Sequence, residues 1–386
     1  MFFFTKRSRI WIIILLFLFV IFLFLSSKET VYAGSDIQGK NPVSDFDYNE
    51  IQQVIDDVLS SDNHINFEEY VTSLVTGERK FSIKQIGQDL IDAIKKELKS
   101  NRDILTSLIS IAVIAAVFTN FSYAFQNTQV AETGFYVAYL LLFSILTASF
   151  ISAATLAANT ITAVLNFMKA LIPAYFLSVA FVSSAGTSIV YYQVTLFIIT
   201  FVDFLLIKLI IPMINIYLIV SMANNLSKED MLSKLADLLS VLIKWTLKTL
   251  LGLVIGFNTI QGLILPVSDN VKKSTLLKVA GAIPGVGDLL GTVTEGVFGA
   301  GILLKNAIGV AGVIVILVIC ALPIIKLAVT TLIYRVSSAA VQPISDKRMI
   351  NCVTASADAA ALLLQTLLVG AVLFLLTITI VAATTT

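Results

Sequence analysis

Four charged side chains fall inside long apolar stretches of this chain, Lys169, Asp203, Lys208 and Lys326, and a fifth, Lys305, stands at the entrance to another. A charge at the centre of a membrane helix costs roughly 2.5–3.5 kcal/mol on insertion scales, so each must face protein, water or an interface. A carboxylate in that setting can carry a proton or hold a cation, which makes Asp203 the leading candidate for an ion site. Interhelical bonding and snorkelling are the plainer uses of all five. Asp203 and Lys208 are five positions apart, about 140° around a regular helix, so they pair only if the helix is distorted. Other chemistries find little support. The chain has one histidine, His64, in a polar link, and two cysteines, Cys320 and Cys352, without CxxC spacing. Those counts exclude a histidine-based triad, a His-rich metal centre and a disulfide framework. No GxxxxGK[ST] phosphate loop occurs, and no HExxH, GxSxG elbow or carboxylate pair at helical spacing lies in an apolar stretch. We therefore expect no enzyme, no catalytic or metal-binding residue and no cofactor.

Backbone-level features are stronger. Nine of the 19 glycines fall between Gly281 and Gly312. At membrane depth such a concentration marks either close helix–helix approach or broken backbone lining a cavity. Pro284 removes a hydrogen-bond donor within the run and favours the broken form. Gly252/Gly256 and Gly287/Gly291 have small-xxx-small spacing, for which simple packing is the plainer reading. A nucleotide site in the Gly281–Gly291 stretch would need a preceding strand and a placed acidic residue, and has neither.

The elements that position these residues follow from composition. Of 386 residues 57% are apolar, and only 13% are charged, 26 basic against 25 acidic. Glycine raises the apolar share to about 62%, against roughly 45–50% in soluble domains. A water-soluble fold of this size could not hide that surface. The near-zero net charge gives no sign of nucleic-acid binding. The expected fold is therefore an all-α, polytopic helical membrane protein. A span needs about 20 apolar residues. Ile104–Phe125, Phe135–Ala158, Ile161–Val182, Ile189–Met222, Leu238–Leu265, Ile302–Tyr334 and Ala359–Ala383 satisfy this, which gives about seven spans within residues 104–386 and up to nine if the two longest fold back.

Residues 1–33 read as a signal peptide: Lys6, Arg7 and Arg9 precede an apolar run from Ile10 to Leu25, and Val31-Tyr32-Ala33 suits cleavage before Gly34. An uncleaved anchor is the alternative, and both send Gly34 across the membrane. Residues 34–103 then form an extracytoplasmic helical region, with ten acidic residues and one basic from Gly34 to Glu78. Three amphipathic helices are predicted there, around Ile51–Leu59, Phe67–Val75 (opened by an Asn66/Glu69 capping box) and Ile83–Leu98. Their stripes either pack on one another or form a docking module. The segment Leu232–Lys248, with Trp245, reads as a helix in the headgroup plane. Simple alternation of seven spans puts Ala223–Asp237 and Arg335–Arg348 outside, which fits the positive-inside rule poorly.

Several motifs occur in a fixed order: Met168-Lys169-Ala-Leu-Ile-Pro173, Thr259-Ile-Gln-Gly262, Pro266 with Asp269, Ile283-Pro-Gly-Val-Gly287, Leu303-Leu-Lys-Asn-Ala-Ile-Gly-Val-Ala-Gly312, Pro323 and Gln342-Pro-Ile-Ser-Asp346. In these the chain resembles the stage III sporulation protein AE family of endospore-forming Firmicutes. The likeness covers nearly the whole mature chain and is densest from about Gly252 to Asp346. It implies a multi-pass protein of the mother-cell membrane around the forespore. Its implied partners are other membrane and intermembrane-space subunits, a separate secretion-type ATPase and the lipid bilayer, with no nucleic acid. The implied assembly is a channel or secretion-like apparatus needed for late forespore gene expression. The resemblance carries over no catalytic residue. Lys169, Pro173, Pro284, Gly285, Gly287, Lys305, Asn306, Gly309 and Gly312 match its pattern as positions, and with Asp203 and Lys208 they are the candidate pore, packing or partner residues. The competing reading is an autonomous secondary transporter that uses Asp203.

Overall fold

A computed structural model describes residues 48–58, 66–76, 91–92, 94–99, 102–124, 128–180, 185–226, 231–280 and 287–383. The expected signal peptide, His64, most of the third amphipathic helix, Pro284 and Gly285 lie outside these. Among the described residues the fold is all helix: α1 (Asn49–Val58), α2 (Phe67–Thr76), α3 (Arg102–Ala124), α4 (Thr128–Ala180), α5 (Ala185–Phe204), a π-helical segment (Leu205–Ile210), α6 (Ile211–Leu226), α7 (Ser233–Ala280), α8 (Gly287–Val341) and α9 (Lys347–Ala383). Five stretches are long and apolar enough to cross a membrane: Glu132–Ser178, Tyr192–Leu226, Ser233–Phe257, Gly301–Val341 and Lys347–Thr379. The 23-residue α3 takes up the first expected span.

Two expectations change. The segments Phe135–Ala158 and Ile161–Val182 do not separate: α4 runs 53 residues without a break, about 80 Å at 1.5 Å per residue. Nothing at Asn159 and Thr160 stops a helix, since Thr160 turns its hydroxyl back to the carbonyl of Leu156 at 2.7 Å. The segment Leu232–Lys248 belongs to α7, whose Ala236, Ile243, Leu247, Leu250 and Val254 pack into the main core. Leu232, Leu235 and Leu242 are exposed.

The bundle is built around α9. Tertiary contacts join it to α4, α6, α7 and α8, and Ala359, Ala360, Leu363 and Leu367 are buried in the main core. At one end the α8–α9 turn meets the start of α4, where the Arg348 guanidinium lies 3.6 Å from the centroid of the Phe135 ring. There Tyr139 donates to the carbonyl of Met222 at 2.6 Å, and the amide of Leu232 donates to Asn224 Oδ1 at 2.7 Å, closing the turn from α6 to α7. At the other end the second half of α4 packs with the first half of α8 and the tail of α9.

Helices α1 and α2 cover that second end. Asn66 Oδ1 accepts from the amide of Glu69 at 3.0 Å, so half of the predicted capping box is in place. Gln52 Oε1 accepts from the amide of Phe67 at 2.9 Å and ties the two helices together. Their apolar stripes (Ile51, Ile55, Phe67, Val71) pack on each other and also on Val164, Phe167 and Met168 of α4. Ile91, Ile94 and Leu98, the described part of the third stripe, are exposed.

Candidate functional site

The π-helical segment decides where the ionisable residues meet. Pro212 has no N–H and its ring crowds the carbonyl four residues earlier, so a regular turn before it would lose a bond and clash. The chain opens there into i→i+5 bonding over Leu205–Ile210, and the amide of Ile211 donates to the carbonyl of Leu206. The wider turn brings Asp203 and Lys208 nearer to one face than a regular helix would. The distortion their pairing required is thus present. Lys208 acts electrostatically on Asp203, and Lys169 does so from α4. Neither forms a direct ion pair with it; both lysines are exposed, whereas Asp203 is half-buried. Asp203 Oδ1 is buried and has no hydrogen-bond partner among the described residues. Pro173 stands in the same relation to Lys169 as Pro212 does to Lys208, four residues on, inside α4. Three of the sequence candidates therefore form one cluster between α4 and the π-helical turn: a carboxylate flanked by two cations.

A second group of candidates packs beside it. Leu171, two residues after Lys169, fills the space where a side chain at Gly312 would stand: a Cβ there would lie 2.5 Å from Leu171 Cδ2 and 3.4 Å from Ile378 Cδ1. The Lys169–Pro173 motif of α4 and the Gly309–Gly312 motif of α8 are thus packed face to face. Gly309 is buried and Asn306 half-buried. Lys305 is fully buried, 0% exposed, and its neighbours Leu304, Ala307 and Ile308 belong to the cluster that takes in α1 and α2. Gly287 is the first residue of α8, and from there the glycines run through continuous helix to Gly312. At Gly312 close approach is the use made of the glycine. At Gly252 and Gly256 a Cβ would meet nothing within 4 Å.

Sequence reasoning missed three features. Gly370 receives Leu206 of the π-helical turn, 3.1 Å from where its Cβ would be, and no motif marks it. Tyr334 donates to Ser149 Oγ at 2.6 Å, tying α8 to α4. Arg335 and Asp358 pair at 3.1 Å between α8 and α9. Asp358 belongs to α9, which starts at Lys347, more than three helical turns before the purely apolar run at Ala359.

Comparison with known proteins was made on this basis. Residues 65–385 match the family described as Stage III sporulation protein AE. The Stage III sporulation protein AE of Bacillus subtilis (strain 168) is 25% identical over 308 residues, covering 80% of this chain and 77% of that protein. No solved structure matches.

Proposed function

The chain belongs to the stage III sporulation protein AE family, and from that premise we propose that it is a membrane subunit of the channel or secretion-like complex linking mother cell and forespore. In this reading it sits in the mother-cell membrane around the forespore, works with other membrane and intermembrane-space subunits, and draws energy from a separate ATPase. The observation that carries the proposal is the two-ended build of the bundle. An acidic helical module caps one end of an apolar, multi-pass body, and the turns at the other end carry Lys234, Arg335, Lys347 and Arg348.

Orientation follows from α4. If that helix crosses once, the chain crosses six times, through α3, α4, α5–α6, α7, α8 and α9. With the module outside, the α6–α7 and α8–α9 turns then both fall in the cytoplasm. That brings those two turns into line with the positive-inside rule, which seven alternating spans fit poorly. Lys272, Lys273 and Lys278 then fall on the module's side.

The test uses cysteines introduced at Ser44 and Ser345 in an endospore-forming host; the native Cys320 and Cys352 are buried and should stay silent to a membrane-impermeant maleimide. With the gene expressed in vegetative cells, Ser44→Cys should label in intact protoplasts, and Ser345→Cys only after permeabilisation. Deletion of the gene should stop spore formation, and the tagged protein should co-purify with other sporulation membrane proteins. Normal spores from the deletion strain would refute the functional reading, and the opposite labelling pattern would refute the orientation.

A further inference from the structure

The apolar stripes of α1 and α2 are buried against the bundle, whereas the described part of the third stripe is not. Residues 91–92 and 94–99 are helical, and Ile91, Ile94 and Leu98 are 54%, 40% and 42% exposed. At about 100° per residue these three fall within an arc of about 60°. Lys95 and Lys99 flank one edge of the arc, about 40° and 80° beyond Ile91, while Asp92 and Lys96 lie on the far side. All four charged side chains are exposed. Lys95 meets Asp92 at 3.1 Å, but the two side chains are 71% and 73% exposed, so solvent screens the pair and it yields readily to another anion. Glu97, at the other edge, is half-buried and already engaged. The stripe is also tied close to α3. Leu98 is four residues from Arg102, where α3 begins, and four residues of chain reach at most about 14 Å. Helix α3 turns Val113, Ile114 and Val117 outward, as a span facing lipid does. The charge of the chain reverses on the same approach: ten acidic residues and one basic from Gly34 to Glu78 give way to seven basic and four acidic from Arg79 to Asp103.

We propose that residues 91–99 lie along the outer surface of the bilayer, with Ile91, Ile94 and Leu98 at the acyl boundary and Lys95 and Lys99 on the phosphates of anionic phospholipid. The occupant follows from the order of groups around the helix. Large aliphatic side chains bordered by lysines match the layering of an interface, where an ammonium on a four-carbon stem rests on apolar surface and reaches the phosphate plane. Asp92 and Lys96 then face water. A basic stretch beside a membrane span is drawn to anionic headgroups. Nine residues alone would hold a bilayer weakly, but their link to α3 makes the contact intramolecular and keeps the helix at the surface. The proposal rests on the reading that α3 crosses the membrane with the module outside. It gives the third stripe a role distinct from the other two, which cover protein.

The experiment places a polarity-sensitive fluorophore on Ile94→Cys, or on Lys96→Cys as the control, in the full chain; the native cysteines are buried. Each protein is reconstituted in vesicles of phosphatidylcholine, with or without about 30% phosphatidylglycerol, that carry a nitroxide lipid labelled near the glycerol backbone. The probe at position 94 should emit to the blue and be quenched about twofold more strongly when phosphatidylglycerol is present. The probe at position 96 should stay water-like in both. The phosphatidylglycerol effect should vanish in the Lys95→Gln/Lys99→Gln variant and in about 0.5 M salt, with thermal unfolding of each variant confirming that it folds. Water-like emission from position 94 in the anionic vesicles overturns the proposal. So does quenching that is equal in the two vesicles, or a lipid dependence that survives in the double lysine variant. Blue emission without nitroxide quenching would put protein, from this chain or a second copy, over the stripe and also overturn it. Any of these with Ser44→Cys still labelling from outside removes the lipid contact alone; the opposite labelling removes the orientation instead.

Discussion

Gly312→Ala and Gly252→Ala are the same chemical change on two helices, and the structure predicts opposite signs. At Gly312 the new methyl would come 2.5 Å from Leu171 Cδ2, well inside van der Waals contact, and 3.4 Å from Ile378 Cδ1. Leu171 is 1% exposed and Ile378 6% exposed, so the end of the Leu171 side chain must shift among buried neighbours. Overpacking of that kind costs about 1–3 kcal/mol. Replacing Gly by Ala in a helix returns up to about 1 kcal/mol. The net effect is destabilisation of up to about 2 kcal/mol. At Gly252, with nothing within 4 Å, only the propensity gain remains. The difference between the two variants therefore isolates the α4–α8 contact. Thermal unfolding in detergent, followed by tryptophan fluorescence, should show Gly312→Ala melting below the parent and Gly252→Ala at or above it. Leu171→Ala should cost about 2–5 kcal/mol alone. Combined with Gly312→Ala it should cost clearly less than the two singles together, since residues in contact couple by about 0.5–3 kcal/mol. Equal shifts for the two glycine variants, or strict additivity with Leu171→Ala, would show that α4 and α8 do not approach as described.

Tyr139→Phe removes the bond to the Met222 carbonyl and should lower stability by about 0.5–1.5 kcal/mol in the same assay. Phe67→Ala empties a site that is 0% exposed, where its ring meets Phe167 at 6.3 Å, and should cost about 3–5 kcal/mol of module docking, read as faster proteolysis of the chain between α2 and α3. The phenol of Tyr48 is held well above its usual range, first by burial and then by the Glu68 carboxylate. The docked state thus keeps a proton that the free module loses above about pH 10. Docking should weaken as pH rises past that value and be unaffected below it, and Tyr48→Phe should abolish this alkaline loosening.

Class and much of the packing were legible in the residues, for definite reasons. Composition forces the membrane reading because no soluble core could hold the apolar surface. The two motif runs, Lys169–Pro173 and Gly309–Gly312, meet because a glycine stripe needs a bulky partner, and Leu171 is one. The approach of Asp203 and Lys208, which stops short of an ion pair, was legible only as a condition: a five-residue spacing fails on a regular helix, and Pro212 is the local reason that this helix is not regular. What stayed hidden depends on partners distant in sequence. Gly370 matters because Leu206 points at it, and nothing near Gly370 in the chain records that. The continuity of α4 was hidden for another reason. A polar pair, Asn159 and Thr160, reads as an interruption of hydropathy, but neither breaks a helix once its side chain is bonded or turned outward.

In the proposed membrane placement, that continuity gives the N-terminal module a purpose. A helix of about 80 Å cannot lie within about 30 Å of hydrocarbon. If the part of α4 near Phe135 to Ala158 crosses, the part from Val164 to Phe176 stands largely beyond the bilayer, still apolar on the side it presents to α8 and α9. In water that surface would be a liability. The structure covers it with Ile51, Ile55, Phe67 and Val71, while Glu50, Asp56, Asp57, Glu68 and Glu69 of the same two helices stay outside the contact. The acidic surface is thus the outer side of a lid over the protruding bundle, and Lys305 lies buried under the same cover. In the proposed placement, an acidic module facing water and a basic set of turns at the opposite end both follow from one feature, a helix more than twice as long as the hydrocarbon layer is thick.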